Sequence, residues 1–423
     1  MANWLIKQAR RQGFKLYVNA LYPSILKKRV NEVGQKDRIE VVFFAMNVAM
    51  WHYQGIYDLL SREECFNCHI VLTGARQYTP EQRSAVLKAL RSFFDAQGIA
   101  YIDFDDQHDE GYDVKGKINP DIVFYPQPYD DQYVPDHSYF NFTSRLICYI
   151  PYAVNVVKDD RLLCDLPIHN LAWKVYCPLS NEKDMAARVA RNHGRNWVVS
   201  GYHNLDKYLS SEENDVWKIK DRSVKRLIWA PHFSILPISS LLPRRSNFLW
   251  MSQLMLEIAE QYKGKLQIAF KPHPWLRDEL YKYSDWDKER VDEYYNKWAS
   301  LENTQLETEG FVDLFKTSDA MIHDCGSFTA EYLFVNKPVA FVSTDFERIL
   351  DGHSEFGRAA LEQHYIVHNE AQVREFIEHV VLDGEDPKQE QRNRFFNTVL
   401  RPNVSGTTSR FIVTDMKQSL GIS

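Results

Sequence analysis

The sequence predicts an α/β protein built from two doubly wound domains. Three observations carry that prediction. Apolar runs of strand length alternate with segments of helical period from residue 38 onward. A polar, charged stretch at 209–221 (LSSEENDVWKIKD) interrupts the alternation, which then resumes. A chain of 423 residues also exceeds what one hydrophobic core usually organises.

Residues 1–37 stand apart as a basic helical arm. Lys7, Arg10, Arg11, Lys15, Lys27, Lys28 and Arg29 precede the first acidic residue, Glu32, with Trp4, Leu5, Phe14, Leu16, Tyr17, Leu21, Tyr22, Ile25 and Leu26 interleaved. Such an arm suits an anionic membrane surface; it also suits packing on its own domain or on a partner subunit. The first domain spans 38–208. Strands are expected at 39–46 (IEVVFFAM), 69–72, 100–104, 121–125, 146–150 and 198–200, with helices opening at 55–60 and running over 80–97. In that second helix Val86, Leu87, Leu90, Phe93 and Phe94 share one face.

The stretch 209–221 reads as the linker. The second domain, 222–386, shows strands at 226–229, 266–270, 320–323 and 339–342, and helices at 248–262, 277–298 and 328–334. Residues 387–423 hold two further helical pieces. Strands alternating with helices imply mostly parallel sheets with right-handed crossovers.

Composition narrows the function. A net charge of −6 argues against a dedicated nucleic-acid binder. The six cysteines are scattered, not arranged as a disulfide framework, which favours a reducing compartment. No apolar run has bilayer-spanning length and no signal-peptide pattern opens the chain, so the expected location is cytoplasmic, at the inner face of the membrane if the arm docks there. Cys65-Phe66-Asn67-Cys68-His69 matches haem-attachment spacing. That match is set aside, because the segment begins a strand in a chain read as cytoplasmic. Asn141-Phe142-Thr143 is a glycosylation sequon only for a secreted chain. No set of His, Cys, Asp and Glu has convincing metal spacing, so no metal and no obligatory cofactor are expected.

Two strand ends carry the chemistry. The strand at 266–270 runs into Lys271-Pro272-His273-Pro274, and the strand at 320–323 into the turn Asp324-Cys325-Gly326-Ser327. Polar strand ends of one parallel sheet face one crevice, where open α/β sheets bind ligands. A turn between a buried strand and a helix start offers N–H groups and a helix dipole to phosphate. Gly326 permits close backbone approach, and Ser327 or Thr329 can offer a hydroxyl. Asp324 could orient the turn as an N-cap or bind a ribose hydroxyl. Glu331, in the first helical turn, could hold ribose hydroxyls or simply complement the dipole. His273 can donate to a phosphate oxygen and neutralise a leaving group, and Lys271 adds positive charge. His232, after Ala230-Pro231, could contact phosphate or acceptor, and Ser234, Arg244 and Arg245 lie in the following loop. In the first domain Asn47, Trp51, His52 and Tyr53 follow a strand, with His52 the first candidate for general base. Pro126-Gln127-Pro128, Tyr149-Ile150-Pro151-Tyr152, His169 and Asn170 are further candidates to line an acceptor site.

Four motifs in order resemble the CDP-glycerol glycerophosphotransferase family, which builds teichoic-acid-like polymers. They are Trp229-Ala230-Pro231-His232, Lys271-Pro272-His273-Pro274, Ser318-Asp319-Ala320-Met321-Ile322-His323-Asp324-Cys325-Gly326-Ser327, and Lys337-Pro338-Val339-Ala340-Phe341. The resemblance covers roughly residues 225–345. It implies a GT-B architecture, two Rossmann-like domains facing across a cleft, with the cytidine nucleotide held by the C-terminal domain. It also implies that His273 contacts donor phosphate and that Asp324 and Ser327 lie at the phosphate-binding turn. Beside these, Pro231, Lys271, Gly326, Phe328, Thr329 and Glu331 are candidates for the donor site from their own positions in the sequence. The chain departs from the family twice. Gly326 replaces a serine, and Cys148-Tyr149-Ile150-Pro151 stands where the family carries a histidine that deprotonates the acceptor.

The expected function is transfer of glycerol phosphate, or another alditol phosphate, from a CDP-linked donor to a hydroxyl of a surface-polysaccharide or lipid-linked acceptor. A GT-B glycosyltransferase using a nucleotide sugar is the alternative. A non-catalytic adaptor on the same fold is a third reading.

Overall fold

The structure is a computed structural model that describes residues 12–104, 111–158, 160–236, 245–308, 310–401 and 406–422. The chain divides into two units. Unit 1 comprises Met1–Tyr152, Asp159–Asp206 and Pro402–Ser423, and unit 2 comprises Ala153–Lys158 and Lys207–Arg401.

Unit 1 is built on a parallel sheet of β1 (Ile39–Ala45), β2 (Phe66–Leu72), β3 (Ile122–Tyr125), β4 (Leu146–Tyr149), β5 (Lys174–Cys177) and β6 (Trp197–Val199), in the order β2-β1-β3-β4-β5-β6. The run IEVVFFA explains its centre. A parallel strand covered by helices on both faces needs apolar side chains in both directions. Val41 and Phe43 accordingly join one core cluster, while Val42 and Phe44 join the other. Helices α1 (Tyr22–Gly34), α2 (Gln54–Leu60) and α3 (Pro80–Ala96) belong to this unit. Thr79 starts α3 with a capping box through Gln82.

Two differences from the sequence reading are physical. The strand expected at 100–104 is a single bridge, Ile102 to Val71. The strand expected at 69–72 begins at Phe66 instead, so Cys68 and His69 sit inside it, and His69 Nε2 lies 2.7 Å from Glu40 Oε2.

The described part of the basic arm packs on unit 1. Val18 and Tyr22 are buried with Leu171, and the Tyr22 hydroxyl donates to the Leu171 carbonyl at 2.5 Å. Arg29 and Lys36 both reach the buried Asp121 carboxylate, at 2.5 and 2.8 Å. Leu16, Leu21 and Ile25 stay exposed on the arm.

Unit 2 carries β7 (Lys225–Ala230), β8 (Leu266–Phe270), β9 (Thr304–Leu306), β10 (Ala320–His323), β11 (Val339–Val342) and β12 (Tyr365–Val367), in the order β12-β11-β10-β7-β8-β9, all parallel. The connection order reverses between β7 and β10. The helical stretch expected at 277–298 is broken, and its second part is α5 (Lys288–Ser300), started by the Asp287 side chain. Before it comes α4 (Phe248–Gln261), and after it α6 (Val312–Thr317) and α7 (Phe328–Glu331).

The polar stretch 209–221 is fastened to unit 2. Trp217 is buried, with its indole N–H donating to Thr317 Oγ1 at 3.0 Å. The Lys218 and Ile219 N–H groups donate to Gln305 and Gln267, and buried Arg226 pairs with Asp215 at 2.8 Å. The last helix, α8 (Thr408–Leu420), returns to unit 1. Asp206 accepts from the Thr408 and Ser409 N–H groups at its start. Ile412, Val413, Met416 and Leu420 complete the same cluster as Val33 and Ile56. A Cβ on Gly34 would fall 2.1 Å from the Leu420 carbonyl oxygen, so α1 and α8 meet only through glycine.

Burial holds seven histidines uncharged: His137, His169, His232, His273, His323, His353 and His364 all titrate well below 6.5. A group whose pKa falls on folding binds its proton only in the unfolded chain between the two values. The stability these histidines contribute is complete above 6.5 and is lost as pH falls toward about 4. Asp324, raised to about 6, and Glu331, raised well above 4.5, oppose them, because a carboxyl whose pKa rises on folding takes up its proton first in the folded state. The histidines outnumber these two. Each proton taken up on unfolding removes about 1.4 kcal/mol per pH unit. The thermal midpoint should therefore drop by on the order of 10 °C between pH 7 and pH 5, and a midpoint that stays level across that range in calorimetry would overturn this account.

Candidate functional site

The reversal point of the unit 2 sheet, between β7 and β10, lies where open α/β sheets bind ligands. Three strand ends meet there. β7 leads to Pro231 and His232, β8 to Lys271 and His273, and β10 to the turn Asp324-Cys325-Gly326-Ser327. The His273 N–H donates to the Pro231 carbonyl at 3.0 Å and fastens the first two ends together.

The two histidine rings lie 5.2 Å apart, edge to face. Their surroundings fix which nitrogen carries the proton. The Ser234 N–H donates to His232 Nδ1 at 3.2 Å, with the Ser234 hydroxyl 2.8 Å from the same atom. The Trp275 N–H donates to His273 Nδ1 at 3.2 Å. A ring nitrogen that accepts from N–H cannot hold its own hydrogen, so both neutral rings carry theirs on Nε2. Burial lowers His273 to about 4 and His232 to about 3, the latter helped by His273 and Arg245. At neutral pH the pair is two oriented, uncharged donors.

Arg245 lies against the turn. A Cβ on Gly326 would fall 2.9 Å from Arg245 Nη1, so glycine is what admits the guanidinium. Ser234, itself buried, links the parts: the Arg245 N–H donates to its Oγ at 3.1 Å. Lys271 is 7% exposed and acts electrostatically on the Cys325 thiol. Within the turn, the Cys325 N–H donates to His323 Nδ1 at 3.2 Å, and the Thr329 N–H donates to the Gly326 carbonyl at 3.2 Å. The N–H groups of Gly326, Ser327 and Phe328 lie between them.

Several expected roles change. α7 has only four residues before the chain tightens into a 3₁₀ turn at Tyr332–Val335, so its dipole is weak and the backbone N–H groups matter more. The Thr329 hydroxyl donates to the Cys325 carbonyl at 3.2 Å and closes the turn instead of facing a ligand. Ser327 is exposed. The Phe328 ring packs on Phe311 and Phe315. Glu331 is 4% exposed and burial pushes its carboxyl well up, which weakens it as an ionised complement to the helix start. Asp324 does not cap its own helix. Its carboxylate accepts from the His232 and Asn247 N–H groups, each at 2.6 Å, and from Asn247 Nδ2 at 3.2 Å. Burial is the larger influence on it and raises it to about 6. Lys337 of the fourth motif donates to the carbonyls of Lys316 and Ser318, closing the end of α6.

Asn247 is the residue that sequence reading missed. It starts α4, holds Asp324, and donates to the Val342 carbonyl at the end of β11. Its signal was present: an asparagine directly before a long apolar helical run.

The unit 1 candidates are largely consumed by their own unit. Asn47 accepts from the Met50 N–H, and the Tyr53 hydroxyl donates to the Tyr125 carbonyl. The Trp51 indole donates to Gln54, and Gln127 is fully buried. His52 is 8% exposed, lies 3.2 Å from the Ile150 carbonyl through Nε2 and stacks on His203 at 4.4 Å. His169 accepts from the Leu166 N–H, and Asn170 donates to Asp165 and accepts from the Asn192 N–H, a buried knot away from solvent. Arg244 lies outside the described residues. Among the described residues no helix is long and apolar enough to cross a membrane, and no group of His, Cys, Asp and Glu could hold a metal ion.

No protein-family model matches the sequence, and no curated protein matches it. Solved structures do. A UDP-bound MnaA of S. aureus superposes with a TM-score of 0.57 at 15% identity, over 92% of this chain and 98% of that one. A UDP-GlcNAc 2-epimerase from Neisseria meningitidis, bound to UDP-GlcNAc, gives 0.56 at 14% identity over 90% and 100%. The wall teichoic acid polymerase TagF, solved after a soak with CDPG, gives 0.58 at 12% identity over 100% and 98%. At such identities the likeness speaks for fold. The two parallel six-stranded α/β units of this chain form a GT-B-like fold, the one shared by the epimerases and the teichoic acid polymerase.

Proposed function

We propose that the chain transfers glycerol phosphate, or another alditol phosphate, from a CDP-linked donor to a hydroxyl of a surface-polysaccharide or lipid-linked acceptor. The observation that carries this reading is the His232–His273 pair, both rings set as Nε2–H donors at the sheet reversal, beside Arg245 and the 324–329 turn. Converging donors without a carboxylate nucleophile suit a diphosphate. The acceptor oxygen attacks the phosphorus of the alditol phosphate in line, its bond to the CMP oxygen breaks, and the acceptor proton passes to a base. Arg245, the histidines and the turn N–H groups stabilise charge on the departing CMP, with no obligatory metal. His52 is the proposed base. The exposed arm residues Leu16, Leu21 and Ile25, beside exposed Lys27 and Lys28, support contact with an anionic membrane surface at the cytoplasmic side.

Ligands that bind the folded state raise its melting temperature. The test is a melting panel of CMP, CDP, CDP-glycerol, CDP-ribitol, UDP, UDP-sugars and GDP-sugars. Selective stabilisation by cytidine compounds is expected. Selective stabilisation by uridine compounds favours the second reading, a nucleotide-sugar glycosyltransferase, which the UDP-bound structural neighbours support. Silence across the panel would leave an adaptor.

A further inference from the structure

Trp275 is unlike the other tryptophans described. It is 60% exposed, whereas Trp229 and Trp298 of the same unit are 1% and 0% exposed. Its ring is braced edge-on by Phe233 at 5.1 Å and lies 5.6 Å from the His273 ring. Its backbone N–H is the donor that sets the His273 tautomer. A braced indole at the edge of a polar site is unspent apolar surface with a defined orientation, and aromatic faces of this kind hold the C–H faces of sugars and polyols.

Its place along the sheet says which part of the reaction it serves. The turn follows β10, His232 follows β7, and His273 and Trp275 follow β8. Adjacent strands stand about 4.8 Å apart, so the end of β8, which leads to His273 and Trp275, lies roughly 10 Å from the end of β10, with β7 and His232 between them. In an in-line displacement the nucleophile arrives opposite the leaving oxygen. With the leaving CMP phosphate at the turn and the histidines on the oxygen between it and the transferred phosphorus, the acceptor approaches from the β8 side. Resting on the function proposed above, we infer that Trp275 is the stacking platform for the polyol or sugar chain of the acceptor, not for the nucleobase.

The experiment is collisional quenching of tryptophan fluorescence by acrylamide in the full chain. Subtracting a Trp275→Phe variant isolates the Trp275 signal, and the melting temperature of the variant verifies its fold. The probes are a glycerol-phosphate oligomer, a β-linked N-acetylglucosamine disaccharide, and CMP. At least one of the two chains should lower the quenching constant of the Trp275 signal about two-fold or more, while CMP leaves it unchanged. Protection by CMP would make Trp275 a nucleobase contact and overturn the inference, as would no protection by either chain. A failure of the donor reading shows separately, as nucleotides that do not shift the melting temperature.

Discussion

Replacing His273 with alanine should cut turnover by about 10²-fold or more while the protein stays folded. The prediction rests on geometry. His273 Nδ1 is occupied by the Trp275 N–H, which leaves Nε2–H as the working end, and His232 stands 5.2 Å away. A donor fixed before the reaction gains most when charge develops on the leaving phosphate, so the loss should fall on kcat more than on CMP affinity. The fold has little to lose, because the exchange removes one bond to a backbone N–H at an exposed residue. Steady-state kinetics with the nucleotide that stabilises the protein would check it. Near-normal turnover in the folded variant would sink the assignment.

Asp324→Ala should have the larger effect on stability. The side chain is 2% exposed and is the acceptor for two backbone N–H groups from segments distant in sequence. Removing it strands both, at about 1–3 kcal/mol each. Recovery of the cost of burying a charge offsets part of that, so a net loss of about 3 kcal/mol is expected, or roughly 6–12 °C in melting temperature. Asn at the same position should be no rescue. Its oxygen can serve one N–H, but its amide then faces the other, donor against donor at a 2.6 Å site. The His232 loop and the start of α4 lose their common anchor, so nucleotide affinity should fall with stability. The carboxyl titrates at about 6, so an acid limb near that pH should mark wild-type activity and be absent from any active variant. Unchanged melting and unchanged nucleotide affinity in both variants would refute the anchoring role.

The legible parts of this sequence were those where burial and chemistry coincide locally. The strands at 266–270, 320–323 and 339–342 appear in the structure with the bounds read from their apolar runs. β5, β9 and β12 did not announce themselves. β9 and β12 are three-residue edge strands, and β5 opens on Lys174, so none offers a run. The break before α5 was readable in principle, from Asp287 as a helix start. At the site, His232, Lys271, His273 and the turn were visible because each follows its strand immediately. The work of Asp324 was not, because Asn247, which meets its carboxylate, lies 77 residues away. Phe328 and Thr329 were read as ligand contacts from their place beside the turn, whereas their side chains serve packing and turn closure. Proximity in sequence to a phosphate turn does not say which atoms face outward.

Helix α8 has a temporal meaning as well. Its Ile412, Val413, Met416 and Leu420 belong to the same apolar cluster as Val33, Ile39 and Ile56. Those later residues are joined to the chain only after every strand of unit 2 has been synthesised. Unit 1, whose strands precede those of unit 2 along the chain, is thus able to close its core only after unit 2 has been made, and during translation its β1 layer must wait, partly uncovered, for α8 to arrive.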